Sequence, residues 1–140
     1  MPARMTLGRP LTALDRELVE AARDALRGGF LRGRQGVGAA VRTRRGRIYV
    51  GLNFEGIHTP CAEPVALGAA LTAHDTEIES MVSVRVAGRR FPVLSPCGNC
   101  RQMLLDYAPN ATVIVRFPSG RVARITAQES LPGAFRTFGR

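Results

Sequence analysis

The chain contains no lysine: all twenty of its basic side chains other than histidine are arginines, set against eleven acidic residues for a formal net charge of +9. A basic excess of this size attracts phosphate-rich partners. The arginines, however, are scattered from Arg4 to Arg140, and complete loss of lysine reads as the codon bias of a GC-rich genome. Charge speaks to partners and not to fold, and nucleic-acid binding is not the expectation here. The sequence also lacks any run near the roughly 18 apolar residues of a membrane span. Residues 1–10 hold no long apolar stretch of the kind a secretory signal needs. A cytoplasmic protein without a membrane partner is therefore expected. Low-complexity segments, repeats and linkers are missing too. With 140 residues, 45% of them hydrophobic, the composition predicts one domain over residues 1–140 with a true core. Cysteine is scarce: there are three, an odd number that excludes a disulfide framework in a reducing compartment. All three fall in two short motifs.

Periodicity predicts an amphipathic helix over residues 12–27, with Leu14, Leu18, Val19, Ala22, Ala25 and Leu26 on one face. Thr12 and Asp15 have capping-box spacing, and Gly28-Gly29 supplies a stop. Residues 37–43 and 47–53 read as strands of a hairpin around Arg44-Arg45-Gly46. A second helix is expected from near Cys61 to Leu71, then a strand over 78–87 ending at Gly88-Arg89-Arg90. A third helix starts near Cys97 and is followed by strands over 111–117 and 122–126, with Pro118-Ser119-Gly120 between them. Five strands with interleaved helices predict an α/β fold, its sheet mixed by the opening hairpin and its later strands parallel.

Thr59-Pro60-Cys61 and Ser95-Pro96-Cys97 repeat one device. Ser or Thr suits an N-cap and proline the first helical position, which places each cysteine in the first turn of a helix. There the free N–H groups and the helix dipole favour thiolate over thiol. Cys100 follows Cys97 by three residues and shares its face. Two such helix N-termini turned toward each other gather three thiolates around one ion. Three protein ligands with an open fourth position is the pattern of catalytic zinc. Glu63, two residues beyond Cys61, is badly spaced to complete the coordination and well placed to move protons. Blander readings stand beside this one. Cys97 and Cys100 alone make a dithiol redox pair, and His58 could close a structural zinc site as fourth ligand. Asn53 and Glu55 read equally as a strand end and a solvated charge, Phe135 and Phe138 as core aromatics, and His74 as a surface histidine. The arginines at turns (Arg44, Arg45, Arg47, Arg89 and Arg90) read as solvated.

Cys61-Ala62-Glu63 and the run Ser95-Pro96-Cys97-Gly98-Asn99-Cys100-Arg101-Gln102 resemble the two zinc motifs of the small cytidine deaminases. Val37-Gly38-Ala39-Ala40-Val41, Asn53-Phe54-Glu55 and Leu131-Pro132-Gly133-Ala134-Phe135 extend the likeness to about residues 12–138. Leu94 through Asp106 is also similar to blasticidin S deaminase, from the same superfamily. The resemblance implies a three-layer α/β/α fold with a mixed five-stranded sheet. It implies Zn²⁺ on Cys61, Cys97 and Cys100, with Glu63 as the catalytic proton carrier in hydrolysis of a cytosine ring to uracil and ammonia. It implies substrate contacts from Asn53 and Glu55 to the ribose hydroxyls, from Ala62 and Ser95, and from Phe135 as part of an aromatic wall. A free nucleoside, cytidine or deoxycytidine, is the implied substrate, and a homotetramer whose neighbouring chains complete each pocket is the implied assembly. A modified cytosine nucleoside such as blasticidin S is the alternative. A polynucleotide deaminase fits less well, since that group has histidine where this chain has Cys61; a silent zinc module is the third reading.

Two positions and one loop depart from the family pattern. Pro64 stands where tetrameric cytidine deaminases often have an arginine that offsets thiolate charge, and Arg101 is a candidate replacement. Gln35 stands where a phenylalanine packs on the pyrimidine. The loop between Asn53 and Cys61 is three residues shorter than usual, nearer the blasticidin S deaminase length.

Overall fold

Alternation along the central strands divides the core into two halves, one on each face of a sheet. In the computed structural model, which describes residues 7–29 and 36–136, Ala39, Val41, Val113 and Val115 point to one face, and Ala40 and Ile114 to the other. The first face is covered by α2 (Ala62–Thr72) and α3 (Gly98–Tyr107), through Ala66, Leu67, Leu104 and Leu105. The second is covered by α1 (Ala13–Gly29), through Leu18, Val19, Ala22 and Leu26. This is the three-layer α/β/α arrangement expected from the sequence. The capping box forms at the start of α1: Thr12 N–H donates to Asp15 Oδ2 at 2.9 Å and Asp15 N–H to Thr12 Oγ1 at 3.1 Å. Leu14, assigned to the buried face by periodicity, is instead 51% exposed on the first turn.

The sheet runs β2 (Ile48–Leu52), β1 (Val37–Thr43), β3 (Ile78–Arg85), β5 (Thr112–Arg116), β6 (Val122–Thr126), and a two-residue β4 (Val93–Leu94) pairs with the end of β3. β1 is antiparallel to both neighbours, and β3 and β5 are parallel. The expectation of parallel later strands needs correction at β6, which is antiparallel to β5. Gly120 N–H closes a tight turn onto Phe117 O at 2.8 Å, with Gly120 at φ +90°. A connection that short cannot carry the crossover that a parallel pair needs. The sequence reading also missed β4 and a one-turn helix, α4 (Ala127–Ser130), capped reciprocally by Thr126 and Glu129.

Two local features fix α2, which carries the chemistry-bearing motif, against the hairpin. At Gly51 in β2, a Cβ would stand 2.5 Å from Ala66 N, 2.8 Å from Val65 Cβ and 2.9 Å from Ala62 O. Only glycine lets the helix lie this close. Beyond the other end of the helix, the buried Asp75 carboxylate accepts from Thr43 Oγ1 at 2.8 Å and Tyr49 Oη at 3.1 Å. Gly51→Ala should therefore destabilise the fold by roughly 1–3 kcal/mol through overpacking. Because it displaces the first turns of α2, it should also weaken metal binding, as urea denaturation and zinc titration on the same sample would show.

Candidate metal centre and pocket

The cysteines that begin α2 and α3 are themselves the N-caps. Cys61 (φ −64°, ψ 166°) and Cys97 (φ −67°, ψ 168°) are extended, and the helices start at Ala62 and Gly98. This shifts the expected pattern by two residues, leaving Thr59-Pro60 and Ser95-Pro96 ahead of the cap. Ser95 instead ties the loop to the end of β5, its hydroxyl donating to Arg116 O and accepting from Arg116 N–H, both at 2.9 Å. At the N-cap a sulfur meets the unpaired N–H groups of the first turn. Burial alone would raise the Cys97 pKa, but hydrogen bonds from the Cys100 N–H, the Cys100 and Cys61 thiols and the Asn99 N–H together outweigh it and hold the thiol below its ordinary value. Burial raises Cys61, and neighbouring Cys97 and Glu63 push the same way. Burial likewise pushes the Cys100 thiol far up, reinforced by the Glu63 charge.

The three sulfurs lie within 4.8 Å of one another, with Cys61 and Cys97 at 3.8 Å. Two thiolates on one tetrahedral zinc, each bound at about 2.3 Å, also stand about 3.8 Å apart. Three sulfurs this close, beside a buried carboxylate, can ionise together only around a cation, and an all-thiolate set selects a soft one such as zinc. The residues present therefore fit the ion. Among the described residues no fourth ligand joins the cluster; His58 is exposed and outside it. The closed structural site thus loses its expected ligand, and the redox-pair reading leaves the third sulfur unexplained. Glu63, 3% exposed, has Oε2 3.5 Å from Cys100 Sγ, which donates to it.

Cys61, Glu63 and Cys97 open onto a cavity of about 480 Å³. Asn53, Glu55, Ala62 and Ser95, four of the five candidate substrate contacts, line it as well. Asn53 organises its outer side: Oδ1 accepts from Gly36 and Val37 N–H at 2.9 and 3.0 Å, while Nδ2 donates to Glu55 Oε1 at 3.0 Å. The amide thus anchors the loop to β1 and orients the exposed carboxylate. Phe135, the fifth candidate, is not among the lining residues; it is 70% exposed and Gln102 Nε2 donates to its carbonyl at 3.0 Å. Gln35 and Phe138 lie outside the described residues. Sequence reasoning gave no role to Val37, Phe54 and Leu94, which supply apolar wall. For Phe54 and Leu94, adjacency to Asn53 and Ser95 was the available signal; Val37, 16 residues from Asn53, had none.

Arg101, the candidate counter-charge, directs Nε to Pro96 O at 2.8 Å and Nη1 to Ser130 O at 3.0 Å. It braces the peptide just before Cys97 against α4. Arg101→Ala should therefore lower zinc affinity by roughly tenfold, the typical cost of losing an outer support of a ligand. A competition titration against a chromophoric chelator reads this directly, and unchanged affinity would dismiss the brace.

Residues 13–116 match the cytidine and deoxycytidylate deaminase zinc-binding region. The chain is 34% identical over 126 residues to blasticidin-S deaminase of Bacillus cereus, covering 84% of this chain and 89% of that protein. It is 34% identical over 128 residues to the cytidine deaminase of Halalkalibacterium halodurans, covering 87% and 95%. The crystal structure of cytidine deaminase from Burkholderia pseudomallei superposes with a TM-score of 0.71 at 30% identity, over 89% of this chain and all of that one.

Proposed function

The chain belongs to the cytidine and deoxycytidylate deaminase family, and from that premise we propose that it hydrolyses the exocyclic amine of a free cytosine nucleoside. The observation that carries this is the junction of three cysteine sulfurs and the buried Glu63 with a cavity whose outer side presents Glu55. When bound, zinc supplies an activated water at neutral pH. Cys61, Cys97 and Cys100 are assigned as its ligands. Glu63 takes the two protons of the attacking water in turn and delivers one to N3 and one to the departing amine. The water oxygen bonds to C4 and the C4–N bond breaks, so ammonia leaves and a uracil ring remains. Glu55, oriented by Asn53, accepts hydrogen bonds from ribose hydroxyls. Ala62 and Ser95 border the base, with Ser95 fixed in place by its double bond to Arg116.

A modified cytosine nucleoside is the second reading, favoured by the likeness to blasticidin-S deaminase and by the short loop after Asn53. Following ultraviolet absorbance with cytidine, deoxycytidine and blasticidin S side by side separates the two. Turnover of cytidine and deoxycytidine supports the first; turnover of blasticidin S alone moves the substrate to the second. No turnover of any of them by zinc-loaded protein would overturn both.

One domain over residues 1–140 and a cytoplasmic setting complete the proposal; among the described residues no helix is long and apolar enough to cross a membrane. A homotetramer accounts for exposed apolar side chains, of which Phe54 lines the cavity. Ile57 is 99% exposed, Phe54 53% and Phe135 70%. Side chains this exposed suit surfaces that other copies cover, where Phe135 would complete a neighbour's pocket.

A further inference from the structure

On the α1 side of the sheet lies a second cavity, of about 350 Å³, that deamination does not use. Arg23 and Arg27 of α1, Arg89 and Arg90 of the turn after β3, and Arg116 at the end of β5 surround it, with the ring of Phe91. No carboxylate lines it. Like charges drawn together from three separate segments repel one another, and such a cluster favours an anion at its centre. Two of the five are already paired: Arg23 with Glu20 at 2.6 Å and Arg27 with Asp24 at 2.7 Å. Among the described residues Arg89, Arg90 and Arg116 have no carboxylate partner.

Three of the five guanidinium groups, those of Arg23, Arg27 and Arg116, are also held in place. Arg23 Nε donates to Phe91 O at 2.9 Å, and Arg116 Nε to Val93 O at 3.0 Å. The Arg27 guanidinium lies over the Phe91 ring, 5.0 Å from its centre. A planar fork fixed before its ligand arrives gives up little entropy on binding. Paired phosphate oxygens match that fork in bidentate fashion.

We propose that this cleft binds the phosphate chain of a compact polyphosphate, free or as part of a nucleoside triphosphate. Three guanidinium groups without a carboxylate, facing one concavity, suit several negative charges on adjoining phosphates. A nucleic-acid backbone needs a long basic track instead; the adjoining cavity, which shares Arg23 and Arg116, adds among the described residues only Arg16 and is otherwise walled by Leu11, Val19, Val93, Val122 and Glu20. Arg121 of the β5–β6 turn spends its guanidinium on Leu7 O and Gly8 O, and Arg44 and Arg45 turn at the opposite end of β3, where Arg44 N–H bonds to Glu77 O.

The test is calorimetric titration of the zinc-loaded full chain with sodium tripolyphosphate, with ATP, and with a short single-stranded oligodeoxynucleotide. Tripolyphosphate should bind once per chain. Arg89→Ser/Arg90→Ser should weaken it roughly tenfold or more, while Arg44→Ser/Arg45→Ser should leave it unchanged. Arg116 is spared because it also supports Val93 and Gly120. ATP binding with similar or greater strength than tripolyphosphate, lost in the same variant, identifies a nucleotide as the source; markedly weaker ATP binding identifies the free chain. Absence of tripolyphosphate binding, or equal weakening in both double variants, overturns the proposal. So does an oligonucleotide that binds more tightly than tripolyphosphate and depends on Arg89 and Arg90. Should the double change unfold the chain by circular dichroism, Arg90→Gln alone carries the comparison.

Discussion

Glu63→Gln should yield a folded, zinc-loaded protein whose deamination of its nucleoside is slower by roughly 10³-fold or more. Glutamine keeps the shape of the side chain and removes only its ability to exchange a proton. Because Glu63 is 3% exposed and sits 3.5 Å from Cys100 Sγ, the exchange replaces a buried carboxylate with a neutral amide, which is easier to bury. Stability should therefore hold or rise slightly, and a drop in activity cannot be blamed on unfolding. The separation of effects is the informative part. Zinc retained with activity lost marks a proton carrier. Zinc lost together with activity would make Glu63 a ligand, and full activity in the variant would remove it from the mechanism. Steady-state rates, metal content and a thermal melt on one preparation distinguish the three.

What made this site legible was chemistry placed at short sequence distances. Cys97 and Cys100 sit on one helical turn, Cys61 and Glu63 on another, and the prolines before them announce where both helices begin. The capping box at Thr12 and Asp15 could likewise be read from spacing, because both partners lie within a single turn. Errors arose where a tertiary partner decided the outcome. Ser95 looked like a helix cap, yet its hydroxyl is bound by the main chain of Arg116, 21 residues away. The direction of β6 follows from a turn whose length was visible in Pro118-Ser119-Gly120, and the expectation of parallel later strands gave that turn too little weight. Gly51 and Asp75 carry no local mark of their importance. One is a close approach between helix and sheet and the other a buried carboxylate joined to two hydroxyls from β1 and β2. The arginine cleft was the least legible feature, since its five members come from α1, a turn and β5.

Cys100→Ser should abolish stoichiometric zinc binding, lowering affinity by roughly two to three orders of magnitude, about one ligand's share of the energy such sites gain. Cys100 is the fully buried member of the cluster, and a serine oxygen there is shorter, harder and far less readily ionised than a thiolate. In the metal-free protein its thiol donates to Glu63, and burial keeps it protonated, as it does for Cys61. Zinc must then displace at least these two protons. Because their pKa values are raised above the ordinary thiol value, the protons are fully bound at neutral pH and below. Zinc affinity should accordingly rise with pH and fall as pH is lowered, by roughly a hundredfold per pH unit for two protons released. Calorimetry in buffers of different ionisation enthalpy counts the protons, and a titration series between mildly acidic and mildly alkaline pH gives the slope. Cys97 contributes less to that slope, since hydrogen bonds from the Cys100 and Asn99 N–H groups and from the Cys100 and Cys61 thiols already favour its thiolate. A flat pH dependence, or a serine variant that keeps its zinc, would mean that the sulfurs are not the ligands and that the fit of three thiolates to one ion is accidental.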